Sequence, residues 1–145
     1  MKRSSYWRAI VTVPAMCLIA IGCGPSASEL QFRHMIKDTE KSVRSSDVRA
    51  AVTPLFSKYR GFDYTNCIPA NELPAVIKSL PLFAHRENII AFSMQANPNV
   101  LVFMTGSGYG HWGIAVCEDQ NGTEPNLIER KGYRLWGNGV YFFRE

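Results

Sequence analysis

Apolar residues recur along this chain with two different periods. Between Ser28 and Tyr59 the spacing is helical. Leu30, Phe32, Met35, Ile36, Thr39 and Val43 form a loose one-sided stripe, and Val48, Val52, Leu55, Phe56 and Tyr59 continue it after a break at Ser45-Ser46-Asp47. Ser28, with Gln31 three residues on, has the form of a capping box. Pro54 lacks the N–H that a helix interior needs, so it is expected to kink the second helix or end it early. Gly61 is the expected stop. Residues 63–70 read as loop. A short helix follows, capped by Asn71, with Pro74 at a tolerated early position; it buries Leu73, Val76, Ile77 and Leu80 and stops at Pro81.

Beyond Pro81 the pattern shortens to β-branched and aromatic runs: Ile89–Gln95, Val100–Thr105, Trp112–Cys117, Asn126–Arg130 and Val140–Phe143. Asn97-Pro98-Asn99, Gly106-Ser107-Gly108, Asp119-Gln120-Asn121-Gly122 and Gly137-Asn138-Gly139 lie between them and have the chemistry of hairpin turns. Helices first and strands later predict an α+β domain, with N-terminal helices packed on a small antiparallel sheet. It is a single domain over residues 29–145, without internal repeats. With 145 residues, 46% of them hydrophobic, the chain can bury a core but has no room for a second large domain.

The first 28 residues have a different character. Residues 1–8 are basic, and residues 9–22 are apolar except where Pro14 interrupts; this run is short of the about 20 residues of a membrane span and has the form of a secretory signal. It ends in Ile19-Ala20-Ile21-Gly22-Cys23, which resembles the lipobox of bacterial lipoproteins, with Ala20 where Leu is usual. The resemblance implies a signal peptide over residues 1–22, cleavage before Cys23, acylation of Cys23, and a linker over residues 23–28. Gly24 in place of Asp favours sorting through the periplasm to the outer membrane. Ordinary cleavage after Ser28 is the alternative. The net charge of +4 then changes meaning. Lys2, Arg3 and Arg8 leave with the signal, so 13 basic residues face 12 acidic ones, and nucleic acid is not an expected partner. Arg130, Lys131 and Arg134 form the one local cluster of the remainder.

An exported chain retaining Cys67 and Cys117 predicts a disulfide between them. It would close a loop of about 50 residues and contribute roughly 4 kcal/mol in the chain-entropy account; two buried thiols are the alternative. Gly110-His111-Trp112-Gly113-Ile114-Ala115 is similar to the histidine segment of NlpC/P60 cell-wall peptidases. That resemblance implies Cys67 as a thiolate nucleophile activated by His111. Against it, Cys67 is followed by Ile68-Pro69 and lacks a helix N-terminus to lower its pKa. His34, His85 and His111 are isolated, so no metal site and no cofactor is expected. The Gly-rich Gly106–Gly110 segment lacks the Gly-Lys-Ser/Thr of a phosphate loop. Tyr109 and Trp112, with Tyr133 and Trp136 as companions, are the candidate ligand-binding aromatics; the alternative is that Trp112 and Trp136 pack the core. Residues 68–80, 113–116 and 139–142 also resemble small uncharacterised bacterial proteins, which implies no activity. The expectation is therefore an envelope lipoprotein with a small binding or structural domain, held to the membrane by its lipid and meeting an envelope or cell-wall partner. The second reading is the thiol peptidase.

Overall fold

The computed structural model describes residues 24–63, 65–84, 88–95, 97–105, 111–119 and 133–144. Helix α1 runs Ala27–Ser42. Its N-cap is Ser26, whose side chain accepts from the Glu29 N–H at 3.2 Å. The cap lies two residues earlier than Ser28, because Ser26-Ala27-Ser28-Glu29 places an acidic residue at the third helical position, where the helix dipole favours it. Helix α2 runs Ser45–Tyr59 with Pro54 inside it. Pro54 neither ends nor shortens the helix. The carbonyl it leaves without an amide belongs to the exposed Ala50, where water can satisfy it, while Val52 and Phe56 are buried on the opposite face. The helix stops at Gly61, whose φ of 86° suits only a residue without Cβ.

The expected short helix is split in two. A 3₁₀ turn covers Ala70–Glu72, and α3 covers Ala75–Lys78 with Pro74 as its N-cap. Leu73, Ile77 and Leu80 are buried as the spacing predicts. Pro81 opens a further 3₁₀ turn, Pro81–Phe83, that buries Leu82 and Phe83. The Leu82 N–H donates to Thr39 Oγ1 at 3.1 Å, which accounts for a threonine on the buried stripe of α1.

The sheet has five antiparallel strands: β1 Ile89–Met94, β2 Asn97–Thr105, β3 Trp112–Cys117, β4 Arg134–Gly137 and β5 Val140–Arg144. Their order is β1-β2-β3-β5-β4, so the last hairpin folds back and sets β5 against β3. The α+β architecture is the one the patterning predicts. The turn expected at Asn97-Pro98-Asn99 is the start of β2, and the strand expected at Asn126–Arg130 lies outside the described residues. The β4–β5 turn has Asn138 at φ 51° and Gly139 at φ 70°, the two positive values that match a tight hairpin to strand twist.

Alternation along the strands builds two apolar layers. Ala91, Leu101, Phe103, Ile114, Val116, Val140 and Phe142 face α1 and α2 and share one core with Phe32, Ile36, Val48, Val52 and Phe56. Val100, Val102, Met104, Ala115, Cys117, Tyr141 and Phe143 form a second cluster on the opposite face. Burial on both faces explains why β2 and β3 read as continuous apolar runs. At Gly113 a Cβ would lie 2.0 Å from the Phe103 carbonyl oxygen, so β2 and β3 meet there only because the position is glycine.

Arg49 joins the helices to the sheet. It is buried on α2, and its guanidinium donates to the carbonyls of Cys117 (2.6 Å), Asn138 (3.0 Å) and Glu118. The predicted Cys67–Cys117 disulfide is not formed. The Ile68 N–H donates to the Ala91 carbonyl, which places this segment outside β1, while Cys117 is on β3. Three strand spacings separate them, about 14 Å at roughly 4.8 Å each, whereas bonded cysteines need Cα atoms about 6 Å apart.

Candidate functional site

The same spacing keeps Cys67 from His111, which lies just before β3. His111 is half-buried and its Nδ1 is 3.2 Å from the Thr105 carbonyl oxygen, so Nδ1 carries the proton and donates. Burial and the negative charge of Asp63 push the Cys67 thiol above its ordinary pKa. A peptidase nucleophile requires the opposite shift and an imidazole within reach. The structure does not bring this pair together.

Trp112 is also placed against expectation as a ligand-binding aromatic. It is 5% exposed, and its ring centroid lies 6.4 Å from that of Phe32 on α1. Trp112 packs the core, as does Trp136, stacked 4.8 Å from Phe142. Tyr133 stacks on Phe143 at 5.4 Å on the far face of the sheet. Tyr109, Cys23, His85 and the residues of the Gly-rich segment lie outside the described residues. His34 is exposed on α1. Among the described residues no cluster of three or more His, Cys, Asp or Glu could hold a metal ion. Nor is any helix among them long and apolar enough to cross a membrane.

The structure points instead to a groove of about 720 Å³ between α1 and the β5–β4 end of the sheet. Helical spacing builds one wall. Glu29, Arg33 and Lys37 recur every four residues and form a row, with Phe32 and Ile36 beside them turned inward. Strand alternation builds the other wall. Phe142 faces the helices, so Arg144 two residues on, and Arg134 opposite Phe142, lie on that same face.

Two contacts hold the walls together near the ends of α1. Arg144 Nη2 donates to Ser28 Oγ at 2.7 Å, and Arg134 Nη2 pairs with Glu40 Oε1 at 2.7 Å. Phe32 and Ile36 are 7% and 3% exposed and make an apolar floor continuous with the core. Four cationic side chains and one carboxylate line the groove. The carboxylate, Glu29, is paired with Arg33. Lys37 has no carboxylate partner among the described residues. A small second cavity of about 140 Å³ beside Arg49 and Asn138 has the Arg49 guanidinium already committed to carbonyls and the Asn138 amide to Ser45 Oγ.

Sequence reasoning missed this site. The available signal was Arg33 and Lys37 four residues apart beside the stripe of α1, together with the clustering noted at Arg134. Nothing along the chain indicated that Arg134 and Arg144 would face α1. A scan against protein-family models, a search of curated proteins and a search of solved structures each found no match to this chain.

Proposed function

We propose that this chain is a lipid-anchored protein of the bacterial cell envelope whose domain binds an acidic ligand in the α1–β5–β4 groove. The observation that carries the binding role is the groove itself, with an apolar floor, a cationic rim and a volume suited to one small molecule. The anchoring role rests on the lipobox resemblance at residues 19–23, which also favours the outer membrane. The α1 cap at Ser26 follows Cys23 by three residues, so an anchored chain would hold the groove close to the lipid surface.

The experiment uses the full chain extracted from membranes in a non-ionic detergent. Intact mass after alkylation is expected to show a chain beginning at Cys23 carrying lipid, with Cys67 and Cys117 both alkylated without reduction. An unlipidated chain would refute the anchor. The same preparation is titrated with hexadecanoate, a pentaglutamate peptide and inorganic phosphate, reading tryptophan fluorescence, since Trp112 touches the groove floor through Phe32. At least one acidic probe is expected to bind and to lose binding in Lys37→Glu. Failure of all three, or binding indifferent to that substitution, removes the groove as the site.

A further inference from the structure

We propose that the ligand of the groove is a single-chain anionic amphiphile, a molecule of the fatty-acid or lysophospholipid type with one hydrocarbon chain and one acidic head. This deepens the binding role above and rests on it. The groove offers two chemistries side by side. Phe32 and Ile36 close the floor from beneath with little surface of their own, and the aliphatic stems of Arg33, Lys37, Arg134 and Arg144 make the rest of the lining apolar, a surface that attracts hydrocarbon and gains nothing from a bare anion. Arg33 and Lys37 on α1, with Arg134 and Arg144 across from them, surround that floor with positive charge.

The donors for an acidic head are available. A guanidinium carries five N–H groups, and Arg134 and Arg144 each use one nitrogen, toward Glu40 and Ser28. Lys37 makes no ion pair or side-chain hydrogen bond among the described residues. Glu29 is paired with Arg33 and Glu40 with Arg134, so the positive surplus of the groove is carried by Lys37 and Arg144. Charge-assisted contacts of this kind strengthen beside apolar surface, where competing water is reduced.

The shape selects one molecule over a surface. A concave groove within the about 300–1,000 Å³ range of small-molecule pockets is the size of a single ligand, and a flat bilayer face cannot follow its floor. Four cations are also too few, and the floor too apolar, for a nucleic-acid strand, which requires a charged track with exposed rings.

The test is photolabelling of the full chain in non-ionic maltoside micelles with a diazirine-bearing hexadecanoate. Diazirine-bearing hexadecanol, hexadecylamine and diacyl phosphatidylglycerol serve as comparisons. The acid is expected to label the peptide containing Phe32 and Ile36 at least tenfold more than the alcohol or the amine. Lys37→Glu and Arg144→Glu are each expected to reduce that labelling at least tenfold, while Lys37→Arg retains it. Lys37 is exposed and pairs with no carboxylate among the described residues, so its charge reversal is expected to leave the fold intact. Equal labelling by acid and alcohol, or labelling indifferent to both reversals, overturns the proposal. Labelling by the diacyl lipid as strong as by the single chain also overturns it. If hexadecanoate fails while pentaglutamate binds and is lost in Lys37→Glu, the amphiphile is wrong and the groove stands as an acidic-peptide site. If no acidic probe binds, both readings fall together.

Discussion

A guanidinium shut away from water must find acceptors, and Arg49 finds three carbonyls on two separate segments. No carboxylate is involved, so the contact depends on backbone position alone. Arg49→Ala would leave those carbonyls in a cavity with nothing to bond. The expected loss is about 2–4 kcal/mol, because bonds to charged donors are strong and do not add fully. Arg49→Lys is expected to recover only part of it, since one ammonium cannot replace a fork that sets Nη1 on the Cys117 and Asn138 carbonyls and Nη2 on that of Glu118. Urea midpoints of the three proteins test this; a cost for Arg49→Ala below about 0.5 kcal/mol, the range of an ordinary surface substitution, would show the clasp to be idle. The position was partly legible. Residue 49 precedes Val52 and Phe56 by three and seven, at the edge of the buried stripe, but a sequence cannot name the carbonyls that make an arginine acceptable there. The two cysteines teach the reverse: parity and export predicted a bond, and strand order placed them too far apart to form it.

Elements whose periodicity was strong formed nearly where expected, and the departures came from single residues. α1 begins earlier because Ser26 outcompetes Ser28 as a cap. α2 continues through Pro54 because the affected carbonyl faces solvent. β4 was not anticipated at all, since Arg-Leu-Trp-Gly shows no alternation and is a strand only because the Asn138-Gly139 turn lays it along β5. Among the described residues, the carboxylates held below their ordinary pKa lie in the segment after α2. Asp63 is held below its ordinary pKa by the Thr65 hydroxyl and by the Thr65 and Asn66 amides. Glu72 is held down by the Lys58 ammonium, then by the Tyr59 hydroxyl, and Lys58 is raised in turn, chiefly by Glu72. Depressed carboxylates contribute stability that is complete above their unfolded values of about 4 and is lost as pH falls through the lower folded values. Lys58 adds a contribution present below about 10 and lost above its raised value. Stability measured from pH 2 to 7 is therefore expected to fall at the acid end, and Glu72→Gln to flatten that fall. An unchanged slope in Glu72→Gln would count against the pairing.

At the scale of the molecule, the fold class was readable and the site was not, for a physical reason. Burial is a property of sequence spacing, which the stripe of α1 and the runs of β2 and β3 display directly. A groove is a property of what faces what across elements far apart in the chain, and Arg144 reaches Ser28 over more than a hundred residues. The same global arrangement decides how copies of the protein can meet. Along β1 the outer edge is occupied: the Ser93 N–H donates to the Phe62 carbonyl and the Ile68 N–H to that of Ala91, so Phe62 and Ile68 lie along it like a hem. At the other end β4 pairs, among the described residues, only with β5. With β4 as the one open strand edge among the described residues, copies can couple but cannot chain. Sedimentation at rising concentration is accordingly expected to stop at a pair, and a ladder of larger species would refute the hem. On a membrane crowded with copies, as the proposed lipid anchor would have it, that asymmetry would separate harmless pairing from a sheet that spreads from one copy to the next.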